Sequence, residues 1–515
     1  MTKPITTSAW QQYEDGKAYK HRIGLYETVR RNERFYRGDQ WHGSQSELPR
    51  PVFNLVRRIT DYLANSVLPG DVSIRYSDAR LPFFENESVR RATEEALHRM
   101  EQNALYRWKQ NGMAALSRQA LIDAAISGDG VFYCWWDASV GSGQPFEGEI
   151  RTDLVDNTNL FVADVNLADL QSQEYVLLAG RASVGALRRE ALEAGHSERD
   201  VARIRGDAET DTQAGDLGAF ELREGEKATY LIRFFREDGE VVFEKSTRDL
   251  VIRRVKTGLH LYPVAYFNWH KTKNAFHGNA PVGDMIANQR YINSAYAMMM
   301  KHMHDTAFSK IVYDKSRIPE WSNEVGEAIA AQGGGSVSDA VSVVGVGRMQ
   351  EGYLELIDRV IDNTKSMMSA TEAALGDAAA NNTSAILILQ QASKIALRQV
   401  SANFRRCLGE LVAIWADMLC AYSPAERLLP VLEGGDLHAV PMDYALLRRA
   451  LLSATVEIGE TDAYTPSATV TLLDKLLDRG DIDVCQYLEL LPPGILTARE
   501  AVLDKIRSKG EGTNA

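Results

Sequence analysis

Residues 277–293 read HGNAPVGDMIANQRYIN, and what the chain does on leaving this stretch decides the fold. Asn279 and Pro281 have the chemistry of a helix start. The first can cap free amides; the second has a φ that is already helical and lacks an N–H where none is needed. Val282, Met285, Ile286, Gln289, Ile292, Tyr296, Met299 and Met303 then recur at helical spacing. The spacing predicts one helix to about residue 306, roughly 37 Å long at 1.5 Å per residue.

Downstream, residues 308–349 alternate a strand-like IVYDKSRIP, a short predicted helix near 320–331, the GGGS turn at 333–336 and VSVVGVG. This reads as a small α/β insert between two helices. The second helix is expected over 351–375 and a third over about 384–422, the latter roughly 58 Å long by the same rise. Between them lies the bare stretch GDAAANNTS at 376–384. Its small residues and its Asn381, Asn382, Thr383 and Ser384 fit either a helix–helix turn with a cap or a loop that must stay narrow.

Upstream, helices are expected over 8–37, 54–67 and 84–127, the last stopped by GDG at 128–130. The period then changes to that of strands in VFYCWWD (131–137), EIRTDLV (149–155), ATYLIRFF (228–235), EVVFEKSTRDLVIRR (240–254) and YPVAYFNW (262–269). Residues 205–226 form an acidic, Gly-rich excursion within this β-rich part. After Pro424 come a short strand at 455–460 and three brief helices. The fold class is therefore α+β, predominantly helical.

Composition narrows function by exclusion. Of 515 residues, 58 are Lys or Arg and 70 are Asp or Glu, for a formal charge of −12. That argues against a protein that grips nucleic acid by neutralising phosphates, but not against one that lets DNA slide past. Cys134, Cys407, Cys420 and Cys485 show no metal-ligand spacing and read as free thiols in a reducing compartment. The N-terminal MTKPITTSAWQQYEDG has no apolar signal core, and no stretch approaches the about 18 apolar residues of a membrane span, so use in a cytoplasm is expected. GGGSVSDAVSVVGVG lacks the GK[ST] of a phosphate loop, and His302 and His304 lie two apart on different helix faces. No arrangement of nucleophile and base marks an active site, and neither a cofactor nor a metal is expected.

The faces of the predicted helices carry more. Glu351, Glu355, Asp358 and Asp362 fall in one sector of the second helix, opposite Leu354, Ile357, Val360, Ile361, Thr364, Met367, Met368, Thr371 and Leu375. The acidic sector is either a solvated face or a wall facing a polyanion that must not bind. The third helix has an apolar stripe from Ile386 through Trp415 to Tyr422, read as core or subunit packing. Lys394, Arg398 and Arg405 flank it.

Several phrases, in order, resemble the portal proteins of tailed bacteriophages, P22-like and related siphovirus portals. They are FYRGDQW and RPVFNLV (35–41 and 50–56), HGNAPVGDMIANQRYIN, GDAAANNTSAILILQQ (376–391), and ATVTLLDKLLDRGDI with LELLP (468–482 and 488–492). The resemblance spans about residues 30–505. It implies a portal fold of wing, stem, clip and crown, with long helices around a central channel. Residues 1–276 would hold the N-terminal helices and the β-rich wing, 277–306 and 351–375 the stem, and 307–350 the clip. Residues 376–384 would be the tunnel loop, 385–423 the long wing and crown helix, and 424–515 a C-terminal wing strand and helical crown.

The same resemblance implies a homo-oligomer, expected to be a dodecameric ring, at one vertex of the virion and assembled in the host cytoplasm. Its partners would be the terminase large subunit, a head-completion or adaptor protein, the major capsid and scaffolding proteins, and double-stranded DNA passing without sequence specificity. Gly376, Asp377, Asn381, Asn382, Thr383 and Ser384 would line the tunnel loop. Glu351, Glu355, Asp358 and Asp362 would face the channel, and Tyr313, Lys315, Arg317, Glu320 and Trp321 would meet terminase or adaptor. An unrelated cytoplasmic oligomeric scaffold of helices, or a DNA-processing enzyme, are the alternatives.

Overall fold

The apolar stripe on the third predicted helix organises the molecule. In the computed structural model this helix runs Arg398–Tyr422, and Val400, Phe404, Leu408, Leu411 and Trp415 along it are fully buried. Each such side chain contributes on the order of 1.5–3 kcal/mol by leaving water. The structure describes residues 7–42, 48–68, 70, 72–141, 143–207, 227–307, 310–322, 324–344, 352–371, 393–433, 436–448, 450, 452–458, 465–491 and 502. The fold is mixed α+β, 48% helical and 22% strand.

Around the buried helix, two strands lie on one side: β1 (Val72–Asp78) pairs antiparallel with β14 (Leu452–Ile458). Gly409 lets β14 approach, since a Cβ there would sit 3.0 Å from the Ala454 carbonyl oxygen. β2 (Asp129–Gly141) lies between β3 (Glu147–Leu154) and β9 (Val264–Asn268), and Trp415 donates through Nε1 to Thr152 Oγ1 of β3 at 3.0 Å. A five-stranded antiparallel sheet follows in the order β4 (Leu160–Val162), β5 (Tyr175–Ser183), β6 (Lys227–Glu237), β7 (Glu240–Ser246), β8 (Val251–Lys256).

Several expectations are corrected. The first helical block breaks at Ile23 and Gly24, and the block over 84–127 breaks at Asn111 and Gly112; both glycines sit in the left-handed region. Ala280, not Asn279, occupies the cap of the helix Pro281–Thr306, because Asn279 is drawn into a bridge with His270. No helix forms among the described residues of 320–331. That segment instead runs as turns and irregular chain, with its single helical turn later, at Val337–Asp339. The second long helix is shorter than expected, Gly352–Met367, ending before Ser369 at φ 55°. The third helix is broken by a turn at Ala396–Leu397, and residues 384–392 lie outside the described residues.

Strands β1, β4 and β5, the helix Val184–Glu193 and the hairpin β12–β13 (Leu429–Glu433, Asp436–Val440) were not anticipated. The acidic stretch 208–226 lies outside the described residues. Cys134, Cys407 and Cys420 are buried free thiols, as expected.

Candidate functional site

The two long helices that flank the insert form an antiparallel hairpin. Ile292 and Ala295 of Pro281–Thr306 pack on Ile357 of Gly352–Met367, with Tyr296, Met299, Val360 and Ile361 around them. Asn288 donates through Nδ2 to Thr364 Oγ1 at 2.9 Å, which fixes the register. The contact faces are the apolar sectors read from sequence, but only Ile357 and Thr364 of the second helix are deeply buried. Leu354 and Met367, expected on the packed side, are 46% and 73% exposed.

Two buried polar networks hold the root of this hairpin. In the first, Gln289 accepts from the backbone amides of Leu55 and Val56 at 2.9 and 3.2 Å, satisfying the first turn of the helix Leu55–Val67. Its Nε2 donates to the Phe53 carbonyl at 2.8 Å and to Asn293 Oδ1 at 2.9 Å. Asn293 donates to Gln40 Oε1 at 2.6 Å, and Gln40 donates to Asn54 Oδ1 at 3.1 Å. Asn54 in turn caps its own helix and donates to the Tyr36 carbonyl. The three phrases FYRGDQW, RPVFNLV and HGNAPVGDMIANQRYIN therefore meet in one clasp of neutral amides.

The second network centres on Asp129, in the GDG that ends the helix Met113–Ser127. Its carboxylate is fully buried and accepts from His277 Nδ1 at 2.7 Å, the Gly278 amide at 2.8 Å, Tyr266 Oη at 2.8 Å, Asn268 at 2.9 Å and Asn157 at 3.1 Å. Burial alone would push this carboxyl up, but His277 and the hydrogen bonds from His277, Gly278 and Asn157 outweigh it and hold it below the usual range. The backbones of Gly128 and Gly278 touch, and a Cβ on Gly278 would stand 2.8 Å from the carbonyl oxygens of Gly128 and His270. Lys20 continues the network. It is buried, and its Nζ donates to the carbonyls of Asn157, Thr158 and Leu160 at 2.8, 2.9 and 2.5 Å.

At the far end of the hairpin the insert is closed by β10 (Lys310–Tyr313) paired antiparallel with β11 (Val341–Val344). Tyr313 stacks on Trp321 with ring centroids 5.0 Å apart, and Arg317 reaches the Ser336 carbonyl at 3.2 Å. Lys315 and Glu320 are exposed. On the second helix Glu355 is 68% exposed and ion-paired to Arg359 at 2.8 Å, and Asp362 is 3.7 Å from Lys365; Asp358 is also exposed. The acidic sector is thus partly neutralised by its own helix. Glu351, together with Gly376, Asp377, Asn381, Asn382, Thr383 and Ser384, lies outside the described residues. Of the basic flank, Arg398 and Arg405 are exposed.

The segment of chain that holds this hairpin is matched by a known family. The model of the phage P22-like portal protein family matches residues 261–464, from just before β9 through the hairpin, the insert and the buried helix to just past β14. Over this segment the chain is similar to the P22-like portal family. That family is non-enzymatic, and its members are virion components. No curated protein matches the chain. Among the described residues no helix is long and apolar enough to cross a membrane, and no group of His, Cys, Asp and Glu is placed to hold a metal ion.

Within the portal family segment, Gln289, Asn293, His277 and Gly278 are the residues whose roles the sequence left unassigned. Their signal was a buried-looking amide pair at i, i+4 on an otherwise apolar face, and a glycine beside a histidine in front of a helix.

Proposed function

We propose that the chain is one subunit of a ring through which double-stranded phage DNA is packaged and later ejected. The observation that carries this reading is the rooted hairpin with its apolar residues left in solvent. Tyr291, Met298 and Met303 on the first helix and Tyr353, Leu354 and Met367 on the second are 45–73% exposed in the single chain. Exposed apolar residues on both helices of one hairpin call for a partner surface, and copies of the same hairpin side by side supply it.

In that ring the hairpin is the stem and the β10–β11 insert the clip, where Tyr313, Trp321 and Arg317 with exposed Lys315 and Glu320 would meet the terminase large subunit and later the adaptor. The tunnel loop at 376–384 would crowd the axis. Glu351, Glu355, Asp358 and Asp362 would present carboxylates to DNA, repelling phosphates so that the duplex slides. Capsid and scaffolding proteins would hold the ring, expected to be a dodecamer, at one vertex. Negative-stain microscopy with light scattering of the purified protein tests this. Rings with a central channel are expected, and a monomer at every concentration tried would overturn it.

A further inference from the structure

We infer that the cleft between the two β-sheets is a docking site for a short acidic peptide carrying an aromatic side chain. The three-stranded and five-stranded sheets face each other across a cavity of about 390 Å³, away from the hairpin and its clasps. Tyr133 and Trp136 of β2 form one wall, and Phe234 of β6 and Phe243 of β7 the other. Phe234 lies 6.1 Å from Tyr133 and 5.8 Å from Phe243, ring centroid to ring centroid, so these three rings pack on one another and give the cleft an aromatic floor.

The rim is basic on an acidic protein. Lys245, Arg253 and Lys256 border the cavity, with Glu190 as the one carboxylate among them. From 245 to 256 the chain carries Lys245, Arg248, Arg253, Arg254 and Lys256 against the single carboxylate of Asp249, within a chain of formal charge −12. Arg253 is exposed and makes no ion pair among the described residues. Lys256 pairs with Asp238 at 3.0 Å, but Asp238 is 88% exposed. Lys245 pairs with Glu190 at 2.7 Å. Of the two, the Lys256–Asp238 pair is open to solvent, holds weakly and exchanges with a ligand's carboxylates.

Apolar walls with a few convergent charges are what a specific site requires. A peptide fits better than DNA for two reasons. The cavity between the walls has room for a side chain rather than a polymer backbone, and the net negative charge repels a polyanion over a distance at which two or three carboxylates are hardly affected. The partner contributes acid and an aromatic ring; the cleft contributes base and aromatic walls.

The test is fluorescence anisotropy of the whole protein with a fluorescein-labelled peptide Asp-Phe-Glu-Phe-Asp. The controls are Lys-Phe-Lys-Phe-Lys, Asp-Ala-Glu-Ala-Asp and a labelled oligo-dT. Saturable binding of the first peptide, about tenfold tighter than either control peptide, is expected. Arg253→Glu with Lys256→Glu, both on the exposed rim, should weaken it by about tenfold or more while the circular dichroism spectrum stays unchanged. Absence of saturable binding, equal binding of the lysine peptide, indifference to the double substitution, or displacement of the peptide by oligo-dT would each overturn the assignment. In those cases the cations only guard the edge strand β8 against unwanted pairing. The readout does not depend on ring formation, so it stands or falls apart from the portal reading.

Discussion

Replacing Gln289 by Met keeps the volume of the side chain and removes its four hydrogen bonds. The Val56 amide and Asn293 Oδ1 then lose this partner outright, while the Leu55 amide and the Phe53 carbonyl keep the 2.7 Å bond they make with each other. Gln289 and Val56 are each 1% exposed, so water cannot step in without opening the joint. A buried orphan group costs about 1–3 kcal/mol, so the two together cost about 3 kcal/mol. Local opening at the start of the helix Leu55–Val67 should then become about a hundredfold more frequent. Hydrogen–deuterium exchange of peptides covering residues 53–58 reads this directly. Gln289→Glu is the informative companion. It retains an acceptor for both amides and places a negative charge at a helix N-terminus, so protection at 55 and 56 should largely survive. Unchanged exchange at 53–58 in Gln289→Met would refute the view that this residue clasps the hairpin root to the N-terminal helices.

The other expectations are more briefly stated. Gly278→Ala drives a methyl into the carbonyls of Gly128 and His270, 2.8 Å away, and should destabilise by about 3 kcal/mol as overpacking against backbone does; an unaltered thermal unfolding curve would count against it. Glu410 is largely buried, its Oε1 has no hydrogen-bond partner, and burial raises its pKa to about 7. The folded state therefore binds the proton more tightly than the unfolded one, and stability falls as pH rises from the ordinary carboxylate pKa through 7. Glu410→Gln should remove that fall and stabilise at pH 8 by on the order of 1–2 kcal/mol after discounting for its partial exposure, with no gain near pH 4. Equal urea midpoints for variant and parent at both pH values would contradict this. Replacing Glu355, Asp358 and Asp362 together by Lys should slow or stall DNA translocation in an in vitro packaging assay; packaging at the parental rate would remove these residues from the channel wall.

The elements whose spacing is long and regular were legible in the sequence. The helix Pro281–Thr306 and the stripe from Leu397 to Met418 follow from period alone, because a continuous apolar face has only one way to be buried. Short elements were not. β5 and the hairpin β12–β13 owe their existence to neighbours, with Tyr175–Ser183 held by nine paired residues of β6 that lie about fifty positions away. The length of the second helix failed for a different reason. Thr364, Lys365 and Ser366 terminate it through the backbone bonds Met368 N to Thr364 O, Ala370 N to Lys365 O and Ser369 N to Ser366 O, with Ser369 in the left-handed region, a stop that no Gly or Pro announces.

The polar residues of the hairpin root show why a helical wheel could not reach the joint. Gln289 lies on the buried face among Val282, Met285, Ile286 and Ile292, where a wheel counts it as one more interior position. Its meaning comes from Asn54, Gln40 and the amides of Leu55 and Val56, more than 230 residues away in the chain. Asp129 is the same case, since a GDG after a helix reads as a stop until His277 and Gly278 are brought to it. The two networks grip only the start of the helix Pro281–Thr306, up to Asn293; beyond that point it packs on the second helix and, through Tyr296, on Phe53, while Met298, Met300 and Met303 stand in solvent. A helix clamped at its root by buried, hydrogen-bonded polar groups and left apolar toward its tip is stable in direction while its outer half still lacks a surface. That asymmetry is what a subunit needs if neighbouring copies, rather than its own chain, are to complete the far end of the hairpin.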